Sequence, residues 1–322
     1  MKKNTIIIGA GFSSAVLSQL LSSKNLLIFD KGRGPGGRSS TRRVENIGFF
    51  DHGLQYISAR TKEFDLFLNH HLQSSIKEWN GNFRSFENNK IIDSKKYIGK
   101  LGNNDFVKNL LSAKAEYCQE LLSVKRKNNK WTLQFKDKKD RECERLILTI
   151  PMEQCQKITN SLNLGLNFEG TMEPNLTAMI AFNKPLKISS VGIKFQKNSI
   201  LGWAGNESSK LRIGNNKNLE LWTLQSSLDF AKKYCHIYRD KKEEVLELMT
   251  QEFLTLLKIK NVEISHKNIH GWLYAFKSKD FSNKFYWNKD VNLGICGDWM
   301  SGPKAEDAWS SATLLANQIN NS

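Results

Sequence analysis

The sequence contains no apolar run approaching the length of about 20 residues that spans a membrane. Its start, 1–3 followed by Thr5–Ile8, has the charge and apolarity of a signal peptide. However, the apolar run breaks at Gly9, well short of the roughly 7–15 residues of a signal-peptide core. We therefore interpret residues 4–8 as a buried β-strand and expect a cytoplasmic protein that has no membrane contact.

Cysteine and histidine are scarce and scattered. The five cysteines form no C-x-x-C pair, and the six histidines show no metal-ligand spacing. This distribution predicts neither a metal site nor a disulfide framework, and it favours reduced, mostly buried thiols. We also find no Ser/His/Asp arrangement and no pair of carboxylates that would indicate nucleophilic or acid–base catalysis.

Acidic residues are in the minority, with 32 Asp and Glu against 48 Lys and Arg, which gives a net charge of +16. The basic residues are mostly lysines in segments typical of exposed hairpins or loops, such as 125–127 and 136–141. No recognition helix or zinc finger organises them. We interpret them as a solvated surface and predict no nucleic-acid binding, although a positive potential would attract a polyanionic dinucleotide.

The first thirty residues carry a dinucleotide-binding pattern. The apolar run 4–8 leads into a glycine turn and then into a helical pattern, which is the order that gives G-x-G-x-x-G its meaning. Ser14 stands where the third glycine would be, and a second apolar run ends at Asp30, where a ribose needs an acceptor. The predicted cofactor contacts in this segment are Gly9, Gly11, Phe12, Ser13, Ser14 and Asp30.

A glycine- and arginine-rich loop, 31–41, directly follows the second strand, where a plain NAD domain would continue into a helix. Its glycines allow close approach of the backbone, and Arg38 can offer a bidentate guanidinium to phosphate. The loop resembles the R-x-G-G-R segment of the flavoprotein amine-oxidase family. Together with D-H-G-x-Q-Y at 51–56, it is similar to renalase and its bacterial relatives, a branch of that family.

The resemblance implies an α/β fold, with a Rossmann-like FAD-binding domain of the glutathione-reductase/amine-oxidase type. An inserted α+β substrate domain would be built on a mainly antiparallel sheet. The expected FAD-binding domain is discontinuous and comprises 1–60, 105–155 and 285–322. The expected substrate domain comprises 61–104 and 156–284.

The same resemblance places a non-covalent FAD against further residues. Gln55 and Tyr56 would lie beside the flavin, and the backbone of Val124 would face the adenine. Gly297-Asp298 forms a closing strand–loop–helix motif, in which the Asp would accept from a ribityl hydroxyl. The additional predicted contacts are Lys31, Gly37, Arg38, Gln55, Tyr56, Val124, Gly297, Asp298 and Ala308.

Apolar periodicity predicts the remaining elements. A hairpin is expected from strands 120–124 and 131–135, and a helix from 240 to 257, capped by Asp240 with Glu243 at its third position. Another helix is expected to begin near Lys304, with Glu306 and Asp307 in its first turn. The other predicted strands are 145–150, 176–182, 192–195, 200–204, 219–224, 264–276 and 291–296.

Several aromatic residues of the middle region fall on predicted strands, where alternate side chains can line a pocket. For Trp222, as for each of the others, core packing is the simpler explanation. The resemblance implies that five residues line the substrate pocket, and we assign a role in proton transfer to none of them. These residues are Gln55, Tyr56, Trp203, Trp272 and Tyr274. His52 is either an acid–base residue or a structural loop residue, and without a visible partner we favour the second.

The family implied by the resemblance oxidises isomers of NAD(P)H that carry hydride at position 2 or 6 of the ring. The product is NAD(P)+, and the electrons pass through FAD to oxygen to give hydrogen peroxide. Two departures concern the pocket: Asp307 replaces the usual Gly, and Gln225 replaces the usual His. A small-amine oxidase of the same fold and a non-catalytic binder of dinucleotide or flavin remain as alternatives.

Overall fold

The computed structural model describes residues 3–23, 25–88, 90–92, 94–162, 164–166, 168, 170–277 and 283–322. Its helices are α1 (Phe12–Leu20), α2 (Lys62–His71), α3 (Asn103–Leu110), α4 (Met152–Thr159), α5 (Leu228–Tyr234), α6 (Lys242–Leu256) and α7 (Ala305–Asn320). Its strands are β1 (Asn4–Ile8), β2 (Asn25–Phe29), β3 (Thr41–Val44), β4 (Gly48–Asp51), β5 (Ile76–Glu78), β6 (Asn82–Ser85), β7 (Tyr97–Gly99), β8 (Lys114–Glu116), β9 (Leu121–Lys127), β10 (Lys130–Phe135), β11 (Arg141–Cys143), β12 (Arg145–Leu148), β13 (Met172–Phe182), β14 (Ser190–Lys194), β15 (Leu201–Asn206), β16 (Glu220–Ser226), β17 (Ile264–Lys277), β18 (Tyr286–Asn288) and β19 (Leu293–Ile295). Within these ranges, no helix has the length and apolarity that crossing a membrane requires.

The first sheet brings the two ends of the chain together. Its order is β18-β19-β12-β1-β2-β8, and every pair is parallel except the edge pair β18–β19. Ile7 of β1 packs on the side of α1, α2, α3 and α7. Ile6 and Ile8 pack on the other side, against the small sheet β11-β10-β9 and α4. Since both faces are covered, β1 is a continuous apolar run, as is usual for parallel strands.

The second sheet has the order β17-β13-β16-β15-β14-β6 and is antiparallel except for the pair β14–β6. Helices α5 and α6 cover one face, where Trp222 and Leu224 of β16 are buried in the core. The alternate residues Leu221, Thr223 and Gln225 face the other way, towards the segment that contains β4. The expected α/β class with a mainly antiparallel second sheet is confirmed.

Most of the predicted elements are present, and some of their bounds are corrected. The β9–β10 hairpin turns at Asn128 and Asn129, whose φ angles of 50° and 61° suit a tight hairpin turn. Asp240 does not cap α6, because the helix begins at Lys242 and the Asp240 amide donates to the preceding turn. Strand β19 begins at Leu293 rather than 291, since Asn292 has a φ of 55°. Helices α2, α3, α4 and α5 were not predicted.

The expected state of the cysteines is confirmed. All five are free, and Cys118 alone among them is exposed. Burial raises the pKa of Cys143 to about 12 and also raises the pKa of Cys155 and Cys296. These buried thiols therefore stay protonated and unreactive.

Candidate functional site

The glycine turn between β1 and α1 leaves open space at its centre. Gly9 has a φ of 106°, which a residue with a side chain rarely adopts. At Gly11, a Cβ would meet no atom within 4 Å. The first amides of α1 have no acceptor inside the helix, and Ser14 Oγ donates to the Gly11 carbonyl. This combination provides room and N–H donors for an anionic group.

Two of the predicted contacts in this segment point into the protein. Phe12 is buried between the rings of Phe64, Phe67 and Phe106. Ser13 is buried too, and its hydroxyl donates to the Ala308 carbonyl in the first turn of α7. Any contact of Phe12 with a ligand would therefore be made by its backbone, while Ser13 and Ala308 join α1 to α7.

Asp30, at the end of β2, holds the loops around the glycine turn through hydrogen bonds. Its carboxylate accepts from the amides of Ala10 at 2.6 Å and Gly32 at 2.5 Å. A carboxylate has about four lone-pair positions, so Asp30 keeps capacity for further donors. Lys31 beside it is exposed. The arrangement fixes the loop that carries Arg38 relative to the glycine turn.

Arg38 and Asp298 bring the two ends of the chain together at this edge of the first sheet. Both terminal nitrogens of Arg38 donate to the Asp298 carboxylate, one of them at 2.7 Å, across 260 residues of sequence. The Gly36 amide donates to the Ala10 carbonyl, and a Cβ on Gly37 would lie 3.6 Å from the Gly11 Cα. The loop after β2 thus borders the open space at Gly11, and Arg38 links this loop to the Gly297-Asp298 turn.

The segment 51–55, which begins at the last residue of β4, is held by side chains from four places in the chain. Its consecutive carbonyls accept N–H groups as follows: Asp51 from Gln55 Nε2, His52 from Trp272 Nε1 at 2.8 Å, Gly53 from Gln225 Nε2 at 2.7 Å, and Leu54 from Asn103 Nδ2 at 2.6 Å. A Cβ on Gly53 would collide with the Arg38 carbonyl. This segment is therefore rigid and is placed against the cofactor motifs.

Gln55 and Trp203 converge on Gly205. Gln55 is buried, and its Oε1 has no hydrogen-bond partner in the described structure; the same is true of Trp203 Nε1. A Cβ on Gly205 would collide with Gln55 Oε1 and would lie 3.2 Å from Trp203 Nε1. One acceptor and one donor are thus presented together without a partner, which is unusual for buried polar atoms.

Aromatic rings surround Tyr56 beside this point. Its ring lies 5.5 Å from Trp203 and 6.3 Å from Trp79, and Phe83 stacks on Trp203. The buried ammonium of Lys96 lies 4.1 Å from the Phe83 ring centroid and 5.5 Å from that of Tyr56. Burial also raises the pKa of Tyr56. The aromatic group already contains a cation that belongs to the protein.

His52 stacks on Trp272, with ring centroids 5.3 Å apart, and meets His270 edge-on. Burial, together with the nearby His270 and Arg42, lowers the pKa of His52 to about 3. For His270, burial and the neighbouring arginines lower the pKa to about 4. Both imidazoles are neutral at pH 7, so the geometry supports a structural role for His52.

A fully buried cluster of four charged side chains lies beneath segment 51–55. Asp51 accepts from Lys210 at 2.7 Å and from Arg212 at 2.6 Å, and Glu207 pairs with the same two cations at 2.9 and 3.2 Å. Burial alone would raise the pKa of Asp51, but attraction to Arg212 and Lys210 outweighs it and lowers the pKa far below its usual range. For Glu207 burial prevails and raises the pKa.

Other predicted residues lie apart from this point. The side chain of Val124 is buried between β9 and the first sheet, and Tyr274 packs on that same core. Trp222 is buried on the helix-covered face of the second sheet. The α7 residue Asp307 accepts from Arg60 and from the Lys304 amide, at 2.9 Å in the second case. Asp307 thus caps α7, at the position where the family that this sequence resembles has Gly.

The sequence interpretation missed Trp79, Phe83, Lys96, Glu207 and Arg212. Trp79 directly follows β5, and Phe83 lies on β6, a short strand that joins the edge of the second sheet from far away in sequence. Lys96 lies in the connection to β7. Glu207 and Arg212 flank Lys210, so the spacing E-x-x-K-x-R was the available signal, but charged residues in a loop are ordinarily exposed.

Comparison with known proteins adds to this geometry. Residues 7–69 match the family described as the NAD(P)-binding Rossmann-like domain. The fold is shared with solved structures that are described as oxidases or oxidoreductases. A protein from Exiguobacterium sp. 255-15, provisionally assigned as a protoporphyrinogen oxidase, superposes with a TM-score of 0.73 at 11% identity, covering 100% of this chain and 99% of that one.

Two further solved structures have the same fold. Putrescine oxidase bound to putrescine gives a TM-score of 0.65 at 9% identity, with 100% of both chains covered. An oxidoreductase from Methanosarcina mazei gives 0.69 at 11% identity, covering 99% of this chain and 100% of that one. At such identities the likeness establishes the architecture, and the chemistry has to be argued from the residues.

Proposed function

We propose that the protein is an FAD-dependent oxidoreductase which oxidises isomeric dihydronicotinamide dinucleotides, 2- or 6-dihydro-NAD(P), to NAD(P)+. Oxygen would accept the electrons and hydrogen peroxide would form. The observation that carries the proposal is the contact of Arg38 with Asp298 beside the open turn at Gly11. It joins the two motifs that the sequence resemblance assigns to one flavin dinucleotide.

The residues at this edge fit FAD. The space at Gly11 and the free amides of α1 suit a pyrophosphate, which a Cβ at Gly11 would displace. Asp30 can accept from a ribose hydroxyl, and Arg38 has N–H donors beyond those that it gives to Asp298. FAD, when bound, supplies the redox chemistry.

The protein's own task would be to position the substrate ring. Gln55 Oε1 and Trp203 Nε1 are buried without a hydrogen-bond partner, and in this proposal they would accept from and donate to a substrate group that reaches them. Tyr56 and Trp272 would complete the apolar walls in this proposal, whereas Tyr274 packs on the core beside Val124. Hydride transfer requires close, ordered packing of two rings and no general base, which agrees with the low basicity of His52, whose pKa is about 3.

The charges near the pocket favour a dinucleotide over an amine. Lys96 lies against the rings of Phe83 and Tyr56, and the ammonium of Lys210 lies 4.7 Å from the Trp79 ring centroid. A cationic amine would need aromatic faces that these lysines already use. The ammonium of Lys96 would also repel it, whereas Lys210 is compensated by Asp51 and Glu207. An anionic dinucleotide would instead be attracted by the net charge of +16.

The decisive experiment is anaerobic addition of 6-dihydro-NAD(P) to the purified protein while the visible flavin spectrum is recorded. Rapid bleaching, with colour and hydrogen peroxide returning on admission of air, is the expected result. Bleaching by putrescine or another amine, but not by the dinucleotide, would refute the proposed substrate and favour the amine oxidase. A yellow protein that no donor bleaches would indicate a non-catalytic flavin binder.

Two substitutions test where the cofactor binds. Gly11→Ala should fold with unchanged stability, because its Cβ meets no protein atom within 4 Å, yet purify with much less flavin. Arg38→Ala should also lose flavin, whereas Arg33→Ala, in the same loop but exposed, should retain it. Flavin content, measured from the ratio of visible to ultraviolet absorbance, decides. If both Gly11→Ala and Arg38→Ala are fully yellow, this placement is wrong.

A further inference from the structure

The segment 210–213 reverses the usual distribution of residues between core and surface. The two cations Lys210 and Arg212 are 1% and 4% exposed, while the aliphatic residues between and after them, Leu211 and Ile213, are 80% and 86% exposed. Leu and Ile are normally among the most buried residues and Lys and Arg among the most exposed. The chain therefore presents two large aliphatic side chains to the surroundings.

Contacts on the inner side hold these two residues outward. Lys210 and Arg212 are tied to Asp51 and Glu207 by buried ion pairs. Leu211 has a φ of 47°, which is unfavourable for a residue with a side chain, and its carbonyl accepts from Lys77 Nζ at 3.0 Å. The exposure of Leu211 and Ile213 is thus built into the fold.

The surroundings of this tip combine apolar and cationic groups. Leu211, Ile213 and the 48% exposed Leu101 border a groove of about 570 Å³. Lys77 and Lys100 line the same groove, together with one acid, Asp105. The aliphatic patch is small and has a predominantly positive border, on a protein with a net charge of +16.

We propose that Leu211 and Ile213 insert into the headgroup region of a bilayer that contains anionic lipid. Lysines near such a surface attract it electrostatically, and aliphatic tips gain by leaving water. A specific protein partner would need a contact area of about 800 Å² on each side, which three aliphatic side chains do not provide. The proposal departs from the expectation of no membrane contact that was drawn from the sequence.

The test is co-sedimentation of the purified full-length protein with sucrose-loaded vesicles. Vesicles of phosphatidylglycerol and phosphatidylcholine are compared with vesicles of phosphatidylcholine alone, at low and at high salt. Wild-type protein should sediment with the anionic vesicles and be released only in part by salt, because the aliphatic contribution is not screened. No binding to anionic vesicles would overturn the proposal and leave the patch to a protein partner.

Variants separate insertion from general attraction by charge. Leu211→Asn with Ile213→Ser should reduce binding at least tenfold and leave folding intact, because both side chains are exposed and Asn tolerates positive φ. Ile91→Ser is the matched control, since Ile91 is 73% exposed and does not line the groove. Equal binding by the double variant and the wild type would mean attraction by charge only.

Insertion can also be observed directly. A polarity-sensitive fluorophore attached at Leu211→Cys, in a protein that also carries Cys118→Ser to remove the exposed thiol, should shift to the blue on addition of anionic vesicles. The same label at Ile91→Cys should not shift. An unshifted label at position 211 in the presence of sedimenting vesicles would overturn insertion even if the protein binds.

Discussion

The buried charge cluster allows one prediction to be worked out in detail. Lys210→Met keeps nearly the volume of the side chain, but it removes the ammonium that binds Asp51 and Glu207 and lies over the Trp79 ring. Two buried carboxylates then share the single cation Arg212. Breaking a buried pair in this way costs about 3–5 kcal/mol, because one charge is left without compensation.

The second substitution shows whether charge is the cause. Adding Glu207→Gln to Lys210→Met leaves one neutral pair, Asp51 with Arg212, and should recover most of the lost stability. By contrast Lys232→Met, which removes a half-exposed partner of Glu173, should cost less than about 1 kcal/mol. Urea unfolding followed by circular dichroism at neutral pH gives the three free energies.

Low pH should lessen the loss of stability in the single variant Lys210→Met. The pKa of Glu207 is already raised by burial, and loss of Lys210 raises it further. An acid with a raised pKa binds its proton more tightly in the folded state, so stability falls as pH rises from the unfolded value through the folded one. Lys210→Met should therefore lie closer to wild type at about pH 5 than at about pH 8. A loss below about 1 kcal/mol, or no rescue by Glu207→Gln, would refute the reasoning.

Three further outcomes are expected. The pKa of His52 is about 3, so only the unfolded chain protonates this residue as pH falls below about 6.5. His52 alone should lower the free energy of unfolding by up to about 1.4 kcal/mol per pH unit between about pH 6.5 and 5, in addition to the loss from His270, whose pKa is about 4. In urea unfolding, His52→Gln should therefore have a smaller slope than the wild type. In the native protein a thiol reagent should react with Cys118 only, and the other four thiols should react only after unfolding. Reaction of a second thiol before unfolding would contradict the burial of those four cysteines. Gly205→Ala should displace Gln55 and lower stability by about 1–3 kcal/mol in thermal unfolding, unlike Gly34→Ala, whose Cβ meets no atom within 4 Å.

The parts of the fold that depend on residues close together in sequence could be predicted. The run into β1, the glycine turn and α1 combine an apolar strand, a positive φ at Gly9 and a helical pattern, all within twenty residues. The hairpin turn at Asn128 and Asn129 is equally local. Such elements form where local preference and burial agree.

The site was less predictable, because its geometry depends on which face of a strand a residue occupies. Trp203 and Trp222 both lie on strands of the second sheet, but the first is near Gln55 and the second is in the helix-covered core. Asp51 and Arg212 look like surface charges, and only their mutual pairing makes burial tolerable. Sequence spacing does not reveal that pairing across 161 residues.

The anchoring of segment 51–55 has a consequence for how the protein is made. The segment leaves the ribosome early, yet the groups that fix its carbonyls come from Asn103, Gln225 and Trp272, the last of them 220 residues later. During synthesis it must wait, only partly held, until β17 has emerged. If the proposed ligand binds here, competence to hold it would therefore be acquired late, and a chain that stops before Trp272 would have the motifs without the complete site.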